Sequence, residues 1–213
     1  LHILHISTAE EVPSIAEAKN YNPYLSAEVC VHHLHFSDQD YAPWGNFIKS
    51  NPAIKSSADR DALWQGLLND TLDVVATDHA PHTRLEKKKH YWEIPSGLPL
   101  IQHSLPLMLE KLAQGKISLE KIVEKMAHSP AKLFRIQERG YIREGYFADL
   151  VLVDLHAPWI VKNEDLKYKC RWSPFEQTLF RSKVTHTWMN GHLVWSEGRF
   201  DECMSGQRLN FLA

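Results

Sequence analysis

The chain has 213 residues, a formal net charge of -2 and 44% hydrophobic residues, which suits a globular protein with a sizeable core, as one large domain or as one domain with a smaller companion. A near-neutral balance gives no electrostatic reason to expect nucleic acid or an anionic membrane as the main partner, and no apolar run is long enough to span a bilayer. The three cysteines, Cys30, Cys170 and Cys203, are odd in number and widely spaced, so neither a disulfide framework nor a thiolate zinc motif is expected. A reducing, cytoplasmic location is the simplest setting.

The first segment, Leu1 to Ile6, reads as an apolar strand with His5 at its end. It opens without Met or a signal peptide, so the chain is expected to be the C-terminal part of something longer. Ser7 and Thr8 with Glu10 and Glu11 have capping-box spacing for a helix, whose apolar stripe is Val12, Ile15, Ala16 and Ala18. Pro13 is expected to kink its first turns. Leu25 to Val31 is a second strand, followed by His32, His33 and His35. On a strand His33 and His35 point one way and His32 the other, so the three are expected to be hydrogen-bonded strand-end histidines and not a converging metal cluster.

A long loop from Asp38 to Lys55 leads to a helix that starts at Ser56 or Ser57 and ends near Asn69. Leu72 and Val74-Val75-Ala76 then form a short run of the kind buried on both faces of a sheet, and Thr77-Asp78-His79-Ala80-Pro81-His82 follows. Two readings stand for this stretch. Asp78 and the imidazoles are a metal site at a strand's carboxyl end, or Asp78 caps a turn with the histidines exposed on a loop. The alternation strand–helix–strand–helix–strand argues for right-handed parallel βα units.

Thr83 to His90 is polar and expected to be mobile, and Pro95-Ser96-Gly97 closes it. Leu100 to Leu112 reads as helical despite Pro106, Ser118 caps a helix from Leu119 to Met126, and Ser129-Pro130 starts a short third one. From about residue 140 the character changes. Ala148 to Asp154 reads as turn plus strand, and Lys183 to Met189 and His192 to Trp195 flank Asn190-Gly191, the strongest short hairpin signal.

Taken together these motifs resemble the C-terminal half of a dihydroorotase, in the amidohydrolase superfamily. Thr77 to His82 resembles the family's signature after the eighth barrel strand. His5-Ile6-Ser7-Thr8 resembles the segment after strand six, and Ala27-Glu28-Val29 with His32-His33-Leu34 resembles strand seven. Asn51-Pro52 with Asp59-Arg60-Ala62-Leu63 resembles the loop and helix before strand eight. Gly145, Ala148-Asp149-Leu150 and Asn190-Gly191 resemble the small β domain that these enzymes build from both chain ends. The implied fold is α/β: about strands 6–8 of a TIM-type (β/α)8 barrel in residues 1–139, plus part of a small β-sandwich domain in residues 140–213.

The resemblance implies roles position by position. His5 matches a metal-ligating histidine, and Asp78 matches the strand-eight aspartate that binds metal and shuttles the proton. Asn51 and His82 match substrate-holding side chains, and Ser96 and Gly97 match backbone contacts to substrate. The implied cofactor is Zn2+, one or two ions per full-length site. The implied reaction is the reversible interconversion of N-carbamoyl-L-aspartate and L-dihydroorotate in pyrimidine biosynthesis. In that reaction hydroxide attacks the ring amide carbonyl while Asp78 takes the proton and passes it to the ring nitrogen. The implied partners are the small-molecule substrates and a second copy or another pyrimidine-pathway enzyme.

Val31, Ala53, Lys55 and Gln177 depart from the common family residues without removing a matched ligand. The family's first-strand His-x-His and neighbouring Arg, its fourth-strand bridging ligand and its fifth-strand histidine have no counterpart in these residues. The chain by itself is therefore expected to hold metal weakly, to be inactive and to fold poorly. Two alternatives are carried. One is a hydantoinase or allantoinase, against which His82 discriminates because it is tied to the orotate-type carboxylate. The other is a non-catalytic dihydroorotase-like scaffold subunit.

Overall fold

The computed structural model describes residues 1–202 and 206–212, so Cys203 lies outside the described residues. In chain order the elements are β1 (His2–Ile3), α1 (Glu11–Tyr21), β2 (Ser26–Cys30), α2 (Tyr41–Trp44), α3 (Ser57–Leu68), β3 (Val74–Ala76) and α4 (Arg84–Lys87). They continue with α5 (Ser104–Ala113), α6 (Leu119–Val123), α7 (Ser129–Leu133), β4 (Leu150–Asp154), β5 (Trp159–Ile160), β6 (Leu179–Phe180), β7 (Lys183–Met189), β8 (His192–Ser196) and β9 (Arg199–Phe200).

Contacts divide the chain into two compact units: Leu1–Leu107 with Ile160–Thr178, and Met108–Trp159 with Leu179 onward. The expected division at residue 140 is not where compactness changes, because α6, α7 and most of α5 cluster with the later strands.

In the first unit β1, β2 and β3 form a parallel sheet in that order, with His2 opposite Ser26 and Glu28 opposite Val74. The three strands are joined through α1 and α3, as expected of βα units. Ala27, Val29 and Cys30 of β2 are fully buried, as befits the central strand, and Ile6, Leu63, Leu67 and Leu72 close the core around them. The strands are shorter than the sequence pattern suggests. β1 keeps only two residues, although Ile6 N–H still donates to Glu28 O at 2.9 Å.

β2 ends at Cys30, and residues 31–35 fold as successive turns, with Leu34 and Phe36 N–H returning to Cys30 and His32 carbonyls. Strand alternation therefore does not govern the histidines there. Pro13 does not interrupt α1, because it falls in the first turn, where backbone N–H groups have no helical acceptor. Pro106 is tolerated in α5 for the same reason.

The Ser7-Thr8 turn is held by Glu11. Its carboxylate accepts from Ser7 N–H at 3.0 Å, Thr8 N–H at 2.9 Å and Thr8 Oγ1–H at 3.0 Å. Burial alone would raise the Glu11 pKa, but these donors outweigh it and lower it. Asp59 joins this turn to α3. It accepts from Ala9 N–H at 2.8 Å and completes the capping box with Ser56.

His103 is fully buried and pairs through Nδ1 with Ser173 Oγ at 3.2 Å. Burial disfavours its cation and pushes its pKa down to about 4. An unfolded histidine titrates near 6.5, so the unfolded chain binds the proton first as pH falls. The contribution of His103 is complete above about pH 6.5 and is lost progressively toward pH 4, by about 2 kcal/mol at pH 5. Unfolding free energies of the full-length protein from urea titrations at pH 7 and pH 5 are expected to differ by that much more in the wild type than in His103→Gln. Equal pH dependence in the two proteins would refute it.

In the second unit β4, β7, β8 and β9 form an antiparallel sheet in the order β4-β7-β8-β9. The β7–β8 hairpin turns at Asn190 and Gly191, with φ of 52° and 85°, the primed turn that the Asn-Gly pair favours. Asp149 Oδ1 accepts Asn190 N–H at 2.8 Å, and Arg139 pairs with both Asp149 and Asn190. Val151 and Leu152 lie on opposite faces of β4 and are 53% and 52% exposed, so neither face of that strand is fully covered. The helix from α6 to α7 is continuous through a π-helical turn at Glu124–His128, where Pro130 has no N–H to give the carbonyl four residues back.

Candidate functional site

The carboxyl ends of the parallel strands carry the chemistry. His5 follows β1 and Asp78 follows β3, and both have left-handed backbones, with φ of 41° and 45°. A residue with a Cβ in that region costs on the order of 1 kcal/mol or more, and such strain concentrates at functional positions. Neither side chain has a hydrogen-bond partner among the described residues. Asp78 is exposed and His5 half-buried. With β2 between them, the two strand ends lie about 10 Å apart. An imidazole and a carboxylate, neither engaged by the protein, suit a borderline-soft cation such as zinc. They are two donors, one fewer than the three that a catalytic zinc ordinarily takes from protein.

β2 contributes a different group. Cys30 Sγ and one nitrogen each from His32 and His33 lie within 4.8 Å of one another, all buried. The two imidazole rings pack at 4.1 Å between centroids, so they do converge, contrary to the strand-based expectation. That expectation assumed an extended backbone, and the turn after Cys30 removes it. His33 is hydrogen-bonded, through Nε2 to Pro52 O at 3.1 Å. His32 is not: both of its ring nitrogens are buried without a hydrogen-bond partner among the described residues. Burial, with the neighbouring His33 and His5, holds His32 well below the usual histidine range, and burial pushes His33 down to about 4, so both are neutral near pH 7. Burial raises the Cys30 thiol, aided by Glu28 and Asp78, so it stays protonated. A closed zinc site needs four ligands, and no fourth joins this trio among the described residues.

Asn51 is exposed on a turn whose Pro52 carbonyl is held by Ser50 Oγ at 2.8 Å and by His33. His82 and Ser96 are brought together directly, with Nε2 to Ser96 O at 3.1 Å. Trp172 Nε1 donates to His82 O at 2.6 Å and fixes the backbone of that residue. Gly97 N–H donates to Lys49 O at 2.9 Å, which joins the Pro95–Gly97 segment to the turn carrying Asn51. At φ of 127°, a Cβ on Gly97 would meet Ala80 Cβ and O at 2.6 Å, so only glycine fits where this segment passes Ala80. His79 Nδ1 accepts from Leu100 N–H at 2.9 Å and Ile101 N–H at 3.2 Å, which gives that imidazole a structural task beside Asp78.

Sequence reasoning missed two further residues. Trp172 lies ninety residues from the backbone it holds. Lys87 is the buried member of a run of three lysines, and it is the last residue of the short helix α4 in a stretch expected to be mobile. Thr83 and Glu86 form that helix's capping box, and their spacing was the available signal for it. Nothing local distinguishes Lys87 from Lys88 and Lys89.

Known proteins with related chains point the same way. The model of the amidohydrolase family matches residues 2–194. A dihydroorotase of Halobacterium salinarum is 40% identical over 176 residues, covering 83% of this chain and 40% of that protein. One of Pyrococcus abyssi is 35% identical over 209 residues, covering 98% of this chain and 49% of that one. Among solved structures, the L-hydantoinase of Arthrobacter aurescens superposes with a TM-score of 0.88 at 28% identity, covering 94% of this chain and 46% of its own. The chain thus spans about half the length of the curated relatives it matches.

Proposed function

The chain belongs to the amidohydrolase family, and from that premise we propose that the full-length protein is a zinc-dependent dihydroorotase that interconverts N-carbamoyl-L-aspartate and L-dihydroorotate. The observation that carries the reading is the pair His5 and Asp78, unengaged and in left-handed backbones at the carboxyl ends of parallel strands. That is the face on which (β/α)8 enzymes hold their sites. In this reading β1, β2 and β3 correspond to barrel strands six to eight. Residues 1–139 supply barrel and 140–213 supply the small β domain, a boundary of correspondence and not of compactness.

His5 and Asp78 would hold zinc, one or two ions per site, together with ligands from the rest of the barrel. When bound, zinc supplies Lewis acidity and brings the pKa of water toward about 7. Asp78 accepts the proton of the attacking water and returns it to the ring nitrogen as the carbon–nitrogen bond of the cyclic amide breaks. Asn51 donates its side-chain amide to the substrate carboxylate. His82 already gives its Nε2 edge to Ser96 O and offers the other ring nitrogen, which donates when the ring is protonated. Ser96 and Gly97 contribute backbone groups along the same edge.

The second reading, a hydantoinase, is favoured by the superposition on the L-hydantoinase, whereas the dihydroorotase relatives are more alike in sequence. One assay separates them. The full-length protein is expected to turn over L-dihydroorotate far faster than hydantoin, to lose the activity on chelation and to regain it with Zn2+. Preference for hydantoin would establish the alternative. Turnover of neither substrate by the zinc-loaded protein would overturn the dihydroorotase and hydantoinase readings alike.

A further inference from the structure

Lys87 has no place in the proposed chemistry, yet its side chain is fully buried. Its ammonium donates to the carbonyl oxygens of Lys49, Pro95 and Gly97, each at 3.1 Å, so three donors meet three acceptors. A buried ammonium is unfavourable unless hydrogen bonds replace its water. Burial and the like charge of Lys49 hold its pKa down to about 8. With its water replaced by these carbonyls, the ammonium ties them together. All three belong to the segments that carry Asn51 and Ser96-Gly97.

Lys49 works on the same loop from the other side. Its Nζ donates to Tyr91 O at 2.8 Å and Ile94 O at 2.9 Å, while its carbonyl accepts from both Lys87 and Gly97. Asn46 Nδ2 adds a bond to Lys89 O at 2.8 Å. The polar stretch after His82 is therefore tied to the 46–49 segment at Lys87, Lys89, Tyr91 and Ile94.

We propose that Lys87, seconded by Lys49, is a positioning brace that fixes the Pro95–Gly97 backbone against the Lys49–Asn51 turn and so sets how tightly the site takes its substrate. The proposal rests on the functional reading above for the identity of that substrate and for the roles of Asn51, Ser96 and Gly97 in holding it. Lys87→Met keeps the length of the side chain and removes every donor. In the full-length protein it is expected to raise KM for the cyclic amide that the wild type hydrolyses by about tenfold while kcat changes by less than about threefold. Lys49→Met, at a less buried position, is expected to raise KM by about threefold.

A merely structural lysine would lower the folded fraction, and with it the apparent kcat, at constant KM. Hydrogen exchange provides a readout independent of substrate. Amides of residues 91–98 are expected to exchange about tenfold faster in either variant, while those of β2 and β3 are unchanged. If neither dihydroorotate nor hydantoin is turned over, the functional reading fails and exchange still decides the brace. If Lys87→Met does not fold, Lys49→Met decides it. Unchanged KM together with unchanged exchange at 91–98 in the folded variants would overturn the proposal, as would acceleration spread evenly over the sheet.

Discussion

Asp78→Asn in the full-length protein is expected to lower kcat on L-dihydroorotate by about 10²–10⁴-fold, the range for removing a general acid–base group, and to reduce the zinc retained after dialysis. The change is isosteric and removes both the charge and the proton acceptor. It also suits the backbone. Asp78 has φ of 45°, and asparagine enters the left-handed region more readily than other residues with a Cβ. The side chain has no hydrogen bond to lose among the described residues, so folding should be little affected. Steady-state kinetics with metal analysis and near-ultraviolet circular dichroism on the same preparation test this. A correctly folded variant with kcat within tenfold of wild type would remove Asp78 from the proton-transfer role.

Trp172→Ala is expected to destabilise the protein by about 3–5 kcal/mol, as for other buried aromatic truncations, out of a total stability usually between about 5 and 15 kcal/mol. The indole is 1% exposed and packs edge-on against Phe47 at 5.2 Å. Its N–H reaches His82 O at 2.6 Å. Trp172→Phe separates the two contributions. It keeps most of the apolar volume, loses the bond to His82 and leaves a small cavity, so it should destabilise by about 1–2 kcal/mol while raising KM. Urea unfolding of both variants distinguishes the cases. Equal destabilisation by Ala and Phe would mean that the hydrogen bond, and not the packing, accounts for the role of Trp172.

Local patterns went far on the elements. The helix start at Ser56, the Asn190-Gly191 hairpin and the short run Val74–Ala76 all formed where local sequence indicated, because each depends on neighbours within a few positions. Element ends were less legible. β2 stops at Cys30 because the chain turns back on its own carbonyls after the last pairing with β3, and no residue near His32 announces that turn. The error at His32 and His33 follows directly, since side-chain direction was inferred from an extended backbone that ends one residue earlier.

The residues of the candidate site divide in the same way. His5 and Asp78 could be placed at strand ends from the sequence alone, since a strand's carboxyl end is a property of one short segment. What only the tertiary structure decided is which groups are already engaged. His82 meets Ser96, His79 caps the amides of Leu100 and Ile101, Trp172 holds His82, and Lys87 rather than Lys88 or Lys89 enters the interior. Each of these depends on a partner some eight to ninety residues away. A buried polar group is stabilised only by the acceptors that the fold brings to it, and no local propensity encodes that meeting.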